Sequence, residues 1–383
     1  MKGKYYKLKE SLSFCIFIQI GMLPLIIYFQ YEAPAFSFLA NVAAVPLATC
    51  AFTLAFLLIF LPYTVFHEAI SWMIQGVLWI SRQSYGMLTI GHVPFLWVLL
   101  FYFMTGLWIW KKNGQNRHIR ISLAYVIMII LIWIPMARRK SLAFLDVGQG
   151  DCFVADTKSG AIIFDGGSSS EDQVGRYRIL PYMKYLGYQK IQIAVISHMD
   201  IDHYSGIKEL LEMGKIKYLG LPEIPKDETM KKIIGIAKKR GTTIFYLSRG
   251  RQITTKDGSL KVLHPQKNSQ MEKNAASLVM QGKILGYRVL LTGDVEKEGE
   301  EELLSEELER ADILKAAHHG SKNSTSNEFL QKVQPKQTVI SCGKQNRYGH
   351  PHLETIHRLQ TYHTKIYRTD RSGAIIFFKR RDG

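Results

Sequence analysis

Three clusters of histidine and aspartate each follow a short apolar run, typical of a β-strand, in the C-terminal part of the chain. The first cluster puts four such residues within six positions after the run 191–197, and these are His198, Asp200, Asp202 and His203. The second, after the run 288–292, consists of Asp294 alone. The third, after the run 313–317, is the pair His318 and His319. Side chains that leave the ends of neighbouring strands can converge on one rim of a rigid scaffold.

These residue types predict a site for two divalent metal ions, zinc or manganese. Imidazole nitrogen and carboxylate oxygen suit both metals, and one carboxylate can bridge two ions about 3.5–4 Å apart. A solvated loop could hold one such cluster, but three at strand ends in one domain favour a site. The predicted metal ligands are His198, Asp200, Asp202, His203, Asp294 and His318. The predicted catalytic residues are Asp202, His319 and His350.

The adjacent pair His318 and His319 allows two assignments. Consecutive residues of a strand point to opposite faces, so without a bulge only one of the two can aim into the site. We favour His318 as the ligand, with His319 and His350 as groups that transfer protons or complete the ligand set, and the reverse assignment stays open. Four further residues are predicted either to contact phosphate or simply to make their loops polar, and these are Ser321, Lys322, Asn346 and Arg347.

The clusters lie in a stretch of short β-branched runs separated by glycine turns. Twelve such runs, with helical segments between several of them, predict a layered, sheet-rich α/β domain over residues 141–383. A doubly wound fold is disfavoured because the early runs are joined by turns too short for crossover helices. The helical segments are predicted at 178–186, 206–213, 229–239, 297–310 and 353–362.

Residues 1–136 have a different composition, with nine basic and three acidic side chains among the 49 and 32 of the whole chain. A helix needs about 20 apolar residues to cross a membrane, and the uncharged runs 11–31, 33–67 and 83–110 are long enough. The run 121–137 is just adequate. We therefore predict an α-helical transmembrane segment with four or five crossings in the cell membrane, in contact with lipid.

The uncertain crossing is the segment 63–80, which either spans the membrane or lies flat in its interface, because His67, Glu68 and Gln75 interrupt it. The N-terminal lysines and the basic loop 111–120 should both be cytoplasmic, which requires an even number of crossings between them. If 63–80 crosses, 121–136 delivers the soluble domain to the extracytoplasmic side, and this is the topology we predict. If 63–80 lies flat, the domain is cytoplasmic.

The net charge of +17 suits an anionic partner such as nucleic acid or lipid headgroups, although it is also typical of a solvated basic surface. Residues 137–383 carry +11 of this charge. Four cysteines without CxxC spacing exclude a disulfide framework, and all four are expected to be free.

The first cluster carries a family resemblance. His198-x-Asp200-x-Asp202-His203, followed by Gly206, resembles the HxHxDH signature of the metallo-β-lactamase superfamily, with the second histidine replaced by aspartate. Asp165-Gly166-Gly167 resembles the earlier aspartate-glycine motif of that fold, and Thr292-Gly293-Asp294 resembles its bridging aspartate. The resemblance implies an αββα sandwich in which Asp165 orients the ligand loop through hydrogen bonds.

Further motifs narrow the resemblance to the C-terminal half of ComEC-type competence proteins. Together with the aspartate at position 200, the segments 145–151, 318–321 and 346–352 are similar to the soluble domain of these proteins. The segment 38–47 resembles their membrane domain. Members of that family are about twice as long, so an N-terminal half is expected to be missing. The stretch 274–278 resembles the family's asparagine-serine segment in place of a third-motif histidine, which implies one weakly held cation.

This resemblance implies a component of a DNA-uptake channel for transformation. Its soluble domain is then a metal-dependent phosphodiesterase or nuclease that degrades the non-imported strand, and DNA and other competence proteins are its partners. Two alternatives remain: a DNA-conducting or gating membrane subunit with a non-catalytic soluble domain, and a membrane-anchored small-molecule metallohydrolase. The nearly complete ligand set argues against pure binding, and the charge of +11 favours a polyanion over a small neutral substrate.

Overall fold

The computed structural model describes residues 2–34, 37–60, 64–82, 86–110, 139–306 and 308–380. The chain divides into two compact units, Met1–Met136 and Ala137–Gly383.

The N-terminal unit is helical in its described part. A short antiparallel ladder joins Glu32–Pro34 (β1) to Met87–Thr89 (β2). The helices are Lys2–Gln30 (α1), Ser37–Leu57 (α2), Thr64–Arg82 (α3) and Phe95–Trp110 (α4).

Two of these helices, α1 and α2, are long and apolar enough to cross a membrane, with windows Ser13–Gln30 and Ala40–Leu57 at a mean hydropathy of 1.8. Large apolar side chains such as Phe17 and Phe52 are exposed on them, as they would be toward lipid. The apolar part of α4 is shorter. Residues 64–80 of the segment 63–80 lie on α3, and the crossing of this segment stays a prediction, whereas the predicted last crossing lies outside the described residues.

The C-terminal unit contains two seven-stranded mixed sheets. In the first sheet the early strands pair antiparallel, and the four from β5 to β8 run parallel. In spatial order its strands are Ile375–Phe378 (β16), Ser141–Phe144 (β3), Phe153–Thr157 (β4), Gly160–Phe164 (β5), Ile191–Val195 (β6), Ile216–Pro222 (β7) and Thr243–Leu247 (β8).

The second sheet repeats this mixture, with antiparallel pairs from β9 to β12 and parallel pairs from β12 to β15. In spatial order its strands are Lys365–Arg368 (β15), Gln337–Ile340 (β14), Ile313–Lys315 (β13), Tyr287–Leu291 (β12), Val279–Ile284 (β11), Gly258–His264 (β10) and Gln252–Thr255 (β9). Strands β9 and β15 were not anticipated from the sequence.

Three hydrophobic clusters define four layers. One cluster joins the inner faces of the two sheets through residues such as Phe144 and Val289. The other two lie between each sheet and its helices, represented by Leu210 and Leu330. The helices are Leu180–Tyr185 (α5), Ile201–Glu212 (α6) and Glu228–Lys239 (α7) on the first sheet, and Lys297–Leu304 (α8), Asn327–Val333 (α9) and Leu353–Thr361 (α10) on the second. The predicted αββα sandwich is confirmed.

Two helix boundaries differ from the prediction by about five residues or more, and helix α9 was not predicted. Helix α8 ends at Leu304, earlier than expected. Helix α6 begins at Ile201, because the extended backbone of Asp200 serves as its N-cap and the carboxylate of Asp202 lies in the first turn, where the helix dipole favours negative charge. Asp202 and His203 therefore stand on a rigid helix and not on a loop.

Candidate metal centre

The candidate centre lies where β6, β12 and β13 end and α6 begins. His198 follows β6, Asp294 follows β12, and His319 follows β13. The rings of His198 and His203 have their centroids 4.2 Å apart, and those of His203 and His319 are 5.4 Å apart. The three sequence clusters thus meet in one place.

His203 is wholly buried and held in a single orientation. Its Nδ1–H donates a hydrogen bond of 2.9 Å to Oδ2 of Asp165. The other oxygen of Asp165 accepts a hydrogen bond of 2.7 Å from the backbone N–H of Ser197. Asp165 therefore connects the two ligand segments, and the Nε2 of His203 is left to face the cluster.

Asp294 stands at the centre of the cluster. Its Oδ2 is 3.2 Å from Nε2 of His203, 3.4 Å from Nε2 of His319 and 3.8 Å from Nε2 of His318. The Nε2 of His319 is also 3.4 Å from Oδ2 of Asp202. Four triplets of described residues offer ligand atoms within 4.8 Å of one another, and these are His198–His203–Asp294, Asp202–His203–His319, Asp151–Asp165–His203 and Asp151–Asp294–His319.

The buried polar atoms of this cluster fit a divalent cation. The Nε2 atoms of His198, His203 and His319 have no hydrogen-bond partner among the described residues. Burial of an unsatisfied polar atom is costly. Converging imidazole nitrogens and carboxylate oxygens are the donor set that zinc or manganese takes. The residues present therefore suit the cations that the sequence predicted.

The pair His318 and His319 lies in a turn, Ala317–Gly320, and not in a strand. Both residues adopt left-handed backbone conformations, with φ of 47° and 53°, so the alternation of strand side chains does not apply. His319 is 1% exposed, and its Nδ1–H donates to the carbonyl of Ser341 (2.9 Å). His318 is partly exposed, and its Nδ1 lies 2.9 Å from Oε1 of Glu296. The structure brings His319 into the close triplet, and ligation by His318 stays a prediction.

Asp200 lies at the edge of the cluster. Its Oδ2 is 3.5 Å from Nε2 of His198, and its Oδ1 is 3.1 Å from Nζ of Lys273. The contacts with His198 and Lys273 hold the pKa of Asp200 below its usual range.

The asparagine-serine stretch 274–278 contacts the backbone of Asp294. The hydroxyl of Ser277 accepts a hydrogen bond of 3.3 Å from the N–H of Asp294.

Two residues of the centre were missed by sequence reasoning. Lys315 is 4% exposed, and its ammonium contacts the carboxylate of Asp151, the carbonyl of Gly293 (2.9 Å) and Oδ1 of Asp294 (3.5 Å). Asp151 also lies 3.4 Å from Nδ1 of His319. The sequence feature that could have pointed to Lys315 is a lysine inside an apolar strand. The feature that could have pointed to Asp151 is its place in the motif 145–151.

A tight loop presents Asp151 to the centre. Its N–H donates to the carbonyl of Asp202 (3.0 Å), and its own carbonyl accepts from the N–H of Gly167 (3.1 Å). Gly150 is required at this approach, since a Cβ there would lie 2.2 Å from the Gly167 carbonyl oxygen and its φ is +157°.

Histidines and carboxylates of the centre shift one another's pKa values. Burial alone would lower the pKa of His319, but the carboxylates of Asp294 and Asp151 raise it to about 10. Burial would raise the pKa of Asp151, but Lys315 and His319 lower it to about 2. Protons on the buried imidazoles therefore offset the carboxylate charge, and a cation that enters must displace them.

His350 lies beside the histidine pair, with ring centroids 5.4 Å from His318 and 6.2 Å from His319. Burial and the positive charges of His319 and His318 lower its pKa to about 4, so it is neutral at pH 7. Asn346 shapes this loop, because its Oδ1 accepts from the N–H groups of His350 (3.0 Å) and Tyr348 (3.2 Å).

The other predicted phosphate contacts occupy different environments. Arg347 is exposed, and its guanidinium lies 4.8 Å from the ring centroid of Tyr348. Lys322 is exposed and Ser321 is buried. A cleft of about 580 Å³ beside Asp200 is lined by more carboxylates than ammonium groups, namely Asp200, Glu272, Glu296, Glu298 and Glu301 against Lys273 and Lys297.

Two family models match the chain. The Metallo-beta-lactamase superfamily model matches residues 145–344, and the Competence protein model matches residues 2–115. The two matches fall in the two compact units.

Curated relatives extend the similarity over most of the chain. The ComE operon protein 3 of Bacillus subtilis (strain 168) is 31% identical over 95% of this chain and 51% of the relative. The Competence protein ComA of Neisseria gonorrhoeae is 30% identical over 62% of this chain and 32% of the relative. The chain spans about half or less of the length of these relatives.

Solved structures with low identity align to the chain as well. YhfI from Bacillus subtilis, a metallo-beta-lactamase fold protein, matches with a TM-score of 0.44 at 12% identity, over 62% of this chain and 99% of that protein. Human tRNase Z, short form, matches with a TM-score of 0.40 at 14% identity, over 63% of this chain and 99% of that protein.

Proposed function

Because this chain belongs to the metallo-beta-lactamase superfamily and carries a competence-protein segment ahead of that domain, a combination consistent with a ComEC-type protein, we propose that it is a component of a DNA-uptake channel. In this proposal the soluble domain is a metal-dependent phosphodiesterase that degrades the strand that is not imported. DNA, other competence proteins and a further N-terminal portion are its proposed partners.

The observation that supports this proposal most directly is the meeting of three ligand atoms. The Nε2 of His203 and the Nε2 of His319 both face Oδ2 of Asp294, at 3.2 Å and 3.4 Å. A carboxylate oxygen shared by two imidazoles is suited to bridge a pair of cations. When bound, such a pair would acidify water and neutralise charge that develops on the phosphoryl oxygens.

Each residue then has a defined task. Asp202, His203, Asp294 and His319 would hold the cations, with His198 and Asp200 completing the less enclosed side. The sequence favoured His318 as a ligand. We instead assign it to the rim of the metal centre beside Glu296, where it would shield Asp294. His350 is neutral at pH 7, so a ring nitrogen can accept a hydrogen bond from water or from the substrate.

Charge indicates the side from which a polyanion approaches. Lys322, Lys344 and Arg347 are exposed on the His350 side of the centre. The cleft beside Asp200 is predominantly acidic and would repel phosphate. We therefore place the DNA backbone along the His350 loop, with Arg347 and Lys322 as phosphate contacts.

The acidic cleft also favours a second candidate, a membrane-anchored hydrolase of a small molecule. Its volume of about 580 Å³ falls within the range of small-ligand pockets, and its carboxylates suit a cationic substrate. This second candidate would use the same cations as the first, but its substrate would not be a polyanion.

Anchorage follows from the N-terminal unit. The apolar helices α1 and α2 would hold the chain in the cell membrane, and the basic segments at its N-terminus and at 111–120 would remain cytoplasmic. Five crossings would then place the soluble domain outside the cytoplasm, where an incoming duplex is met before transport.

A nuclease assay of the full chain in detergent tests the proposal. Labelled single- and double-stranded DNA is incubated with manganese, zinc or magnesium, and we expect cleavage that requires manganese or zinc. Asp202→Ala should abolish it, and Asp172→Ala, which changes an exposed aspartate, should not. Absence of cleavage with every cation, together with hydrolysis of a small ester, would favour the second candidate.

A further inference from the structure

Lys315 is a buried lysine to which the proposed chemistry assigns no task. It ends strand β13 and is 4% exposed. A charge taken out of water is tolerated only when its partners are close and well placed. Each partner of Lys315 belongs to a segment of the metal centre, because Asp294 is a ligand, Gly293 precedes it, and Asp151 contacts His319.

The two oxygens of Asp294 face different partners. Oδ1 lies 3.5 Å from the ammonium of Lys315. Oδ2 lies 3.2 Å from Nε2 of His203 and 3.4 Å from Nε2 of His319. A partial rotation of the carboxylate about its last torsion would turn one oxygen away from Lys315 and the other away from the imidazoles, and the attraction between Oδ1 and Lys315 opposes that rotation.

The backbone at this position is held as well. The carbonyl of Gly293 accepts a hydrogen bond of 2.9 Å from the ammonium of Lys315, and the N–H of Asp294 donates to the hydroxyl of Ser277. Lys315 therefore acts on both the main chain before Asp294 and the side chain of Asp294.

Asp151 completes the arrangement. It contacts the ammonium of Lys315, and its carboxylate lies 3.4 Å from Nδ1 of His319 and 3.7 Å from Nδ1 of His203. One ammonium thus lies between a carboxylate that faces the ligand cluster and a carboxylate that supports the imidazoles from behind.

We propose that Lys315 is a positioning residue of the metal centre, which engages Oδ1 of Asp294 and the carboxylate of Asp151 so that Asp294 presents Oδ2 alone to a pair of cations. This inference rests on the two-cation site of the proposed function. It predicts that Lys315 controls how two cations share Asp294 and does not control whether the first cation binds.

The test is a manganese titration of the full chain in detergent, as wild type and as Lys315→Met, which keeps an unbranched side chain of nearly the same length and removes its charge. Equilibrium dialysis gives the affinity for the first ion, and electron paramagnetic resonance detects the spin-coupled pair. Because a positive charge beside the ligands is lost, we expect the first ion to bind at least as tightly as in wild type. We expect the spin-coupled signal to be lost, because Asp294 is free to turn.

Two further variants separate positioning from folding. Lys315→Met/Asp151→Asn removes both charges of the buried pair, and we expect it to recover thermal stability without recovering the spin-coupled signal. Lys336→Met is the matched control, since Lys336 is an exposed lysine that pairs with Asp312 at 3.0 Å, and it should leave the signal unchanged.

Three results would overturn the inference: a spin-coupled signal that survives in Lys315→Met, a signal that returns together with stability in the double variant, and a wild type that binds no second ion. A wild type that binds two ions with the expected dependence on Lys315, yet cleaves no DNA, would refute the phosphodiesterase and leave the role of Lys315 standing.

Discussion

The hydrogen bond between Asp165 and His203 fixes which nitrogen of a buried imidazole faces the candidate metal centre. It is 2.9 Å long, and both side chains are fully buried. Because Nδ1 donates to Asp165, Nε2 is available to a cation, and the second oxygen of Asp165 holds the backbone that precedes His198. Residues that orient a ligand in this way set its basicity as well as its direction.

We expect Asp165→Asn to weaken cation binding by about 10- to 100-fold, the usual cost of losing a carboxylate behind a ligating histidine. The amide accepts through one atom only, so it cannot serve both Nδ1 of His203 and the N–H of Ser197. Equilibrium dialysis with manganese and zinc measures the effect, and Asp172→Asn is the control on the surface. An unchanged affinity would show that His203 is not a ligand.

Cation binding should release protons and should strengthen as pH rises. The pKa of His319 is raised to about 10 in the folded chain without cations, so its ring is protonated at neutral pH and must lose that proton to bind. Calorimetry at pH 7 in buffers of different ionisation enthalpy counts the protons released. We expect about one or more per cation. Binding that is independent of the buffer would contradict the assignment of His319.

His318→Ala and His319→Ala should differ sharply. His319 is buried against Asp202 and Asp294, so its loss should weaken cation binding more than about tenfold, which corresponds to about 1.4 kcal/mol or more. The loss of the more exposed His318 should change affinity only a few-fold. The reverse order in a dialysis measurement would restore the assignment that the sequence favoured.

A cysteine introduced in place of Lys239, an exposed residue at the end of α7, should react with a membrane-impermeant maleimide added outside intact cells, in a variant without the four native cysteines. Only five crossings leave both basic segments, at the N-terminus and at 111–120, in the cytoplasm. A position in the basic loop, such as Asn113, serves as the control that should react only after lysis. Protection of position 239 in intact cells would show that the segment 63–80 does not cross.

Much of the centre was predictable from the sequence, because histidine and aspartate at strand ends indicate that these side chains converge, even when the whole fold is not known. Residues 198–203, 294 and 318–319 were identified in this way. The choice between His318 and His319 was not predictable, since nothing in their residue types reveals a left-handed turn. Lys315 was missed because only the packed structure shows that its ammonium points between Asp151 and Asp294.

The strands of the two sheets, like the residues of the centre, were predictable only in part. The strands with apolar, β-branched residues were recognised, whereas Gln252–Thr255 and Lys365–Arg368 were not. Each of these lies at an edge of the second sheet and is largely polar, so the hydrophobic pattern that marks a buried strand is absent. Their pairing partners, and not their own composition, place them in the sheet.

The central claim is tested most directly by measuring DNA binding and DNA cleavage on the same preparation of the full chain, as wild type and as Asp294→Ala, with Asp172→Ala as the matched control. The account predicts that Asp294→Ala abolishes manganese-dependent cleavage and leaves DNA binding largely intact. In both proteins the affinity should fall by about tenfold or more between roughly 50 and 200 mM salt, because several phosphates are contacted. Cleavage that survives Asp294→Ala, or binding without salt dependence, would contradict a phosphodiesterase that acts on DNA.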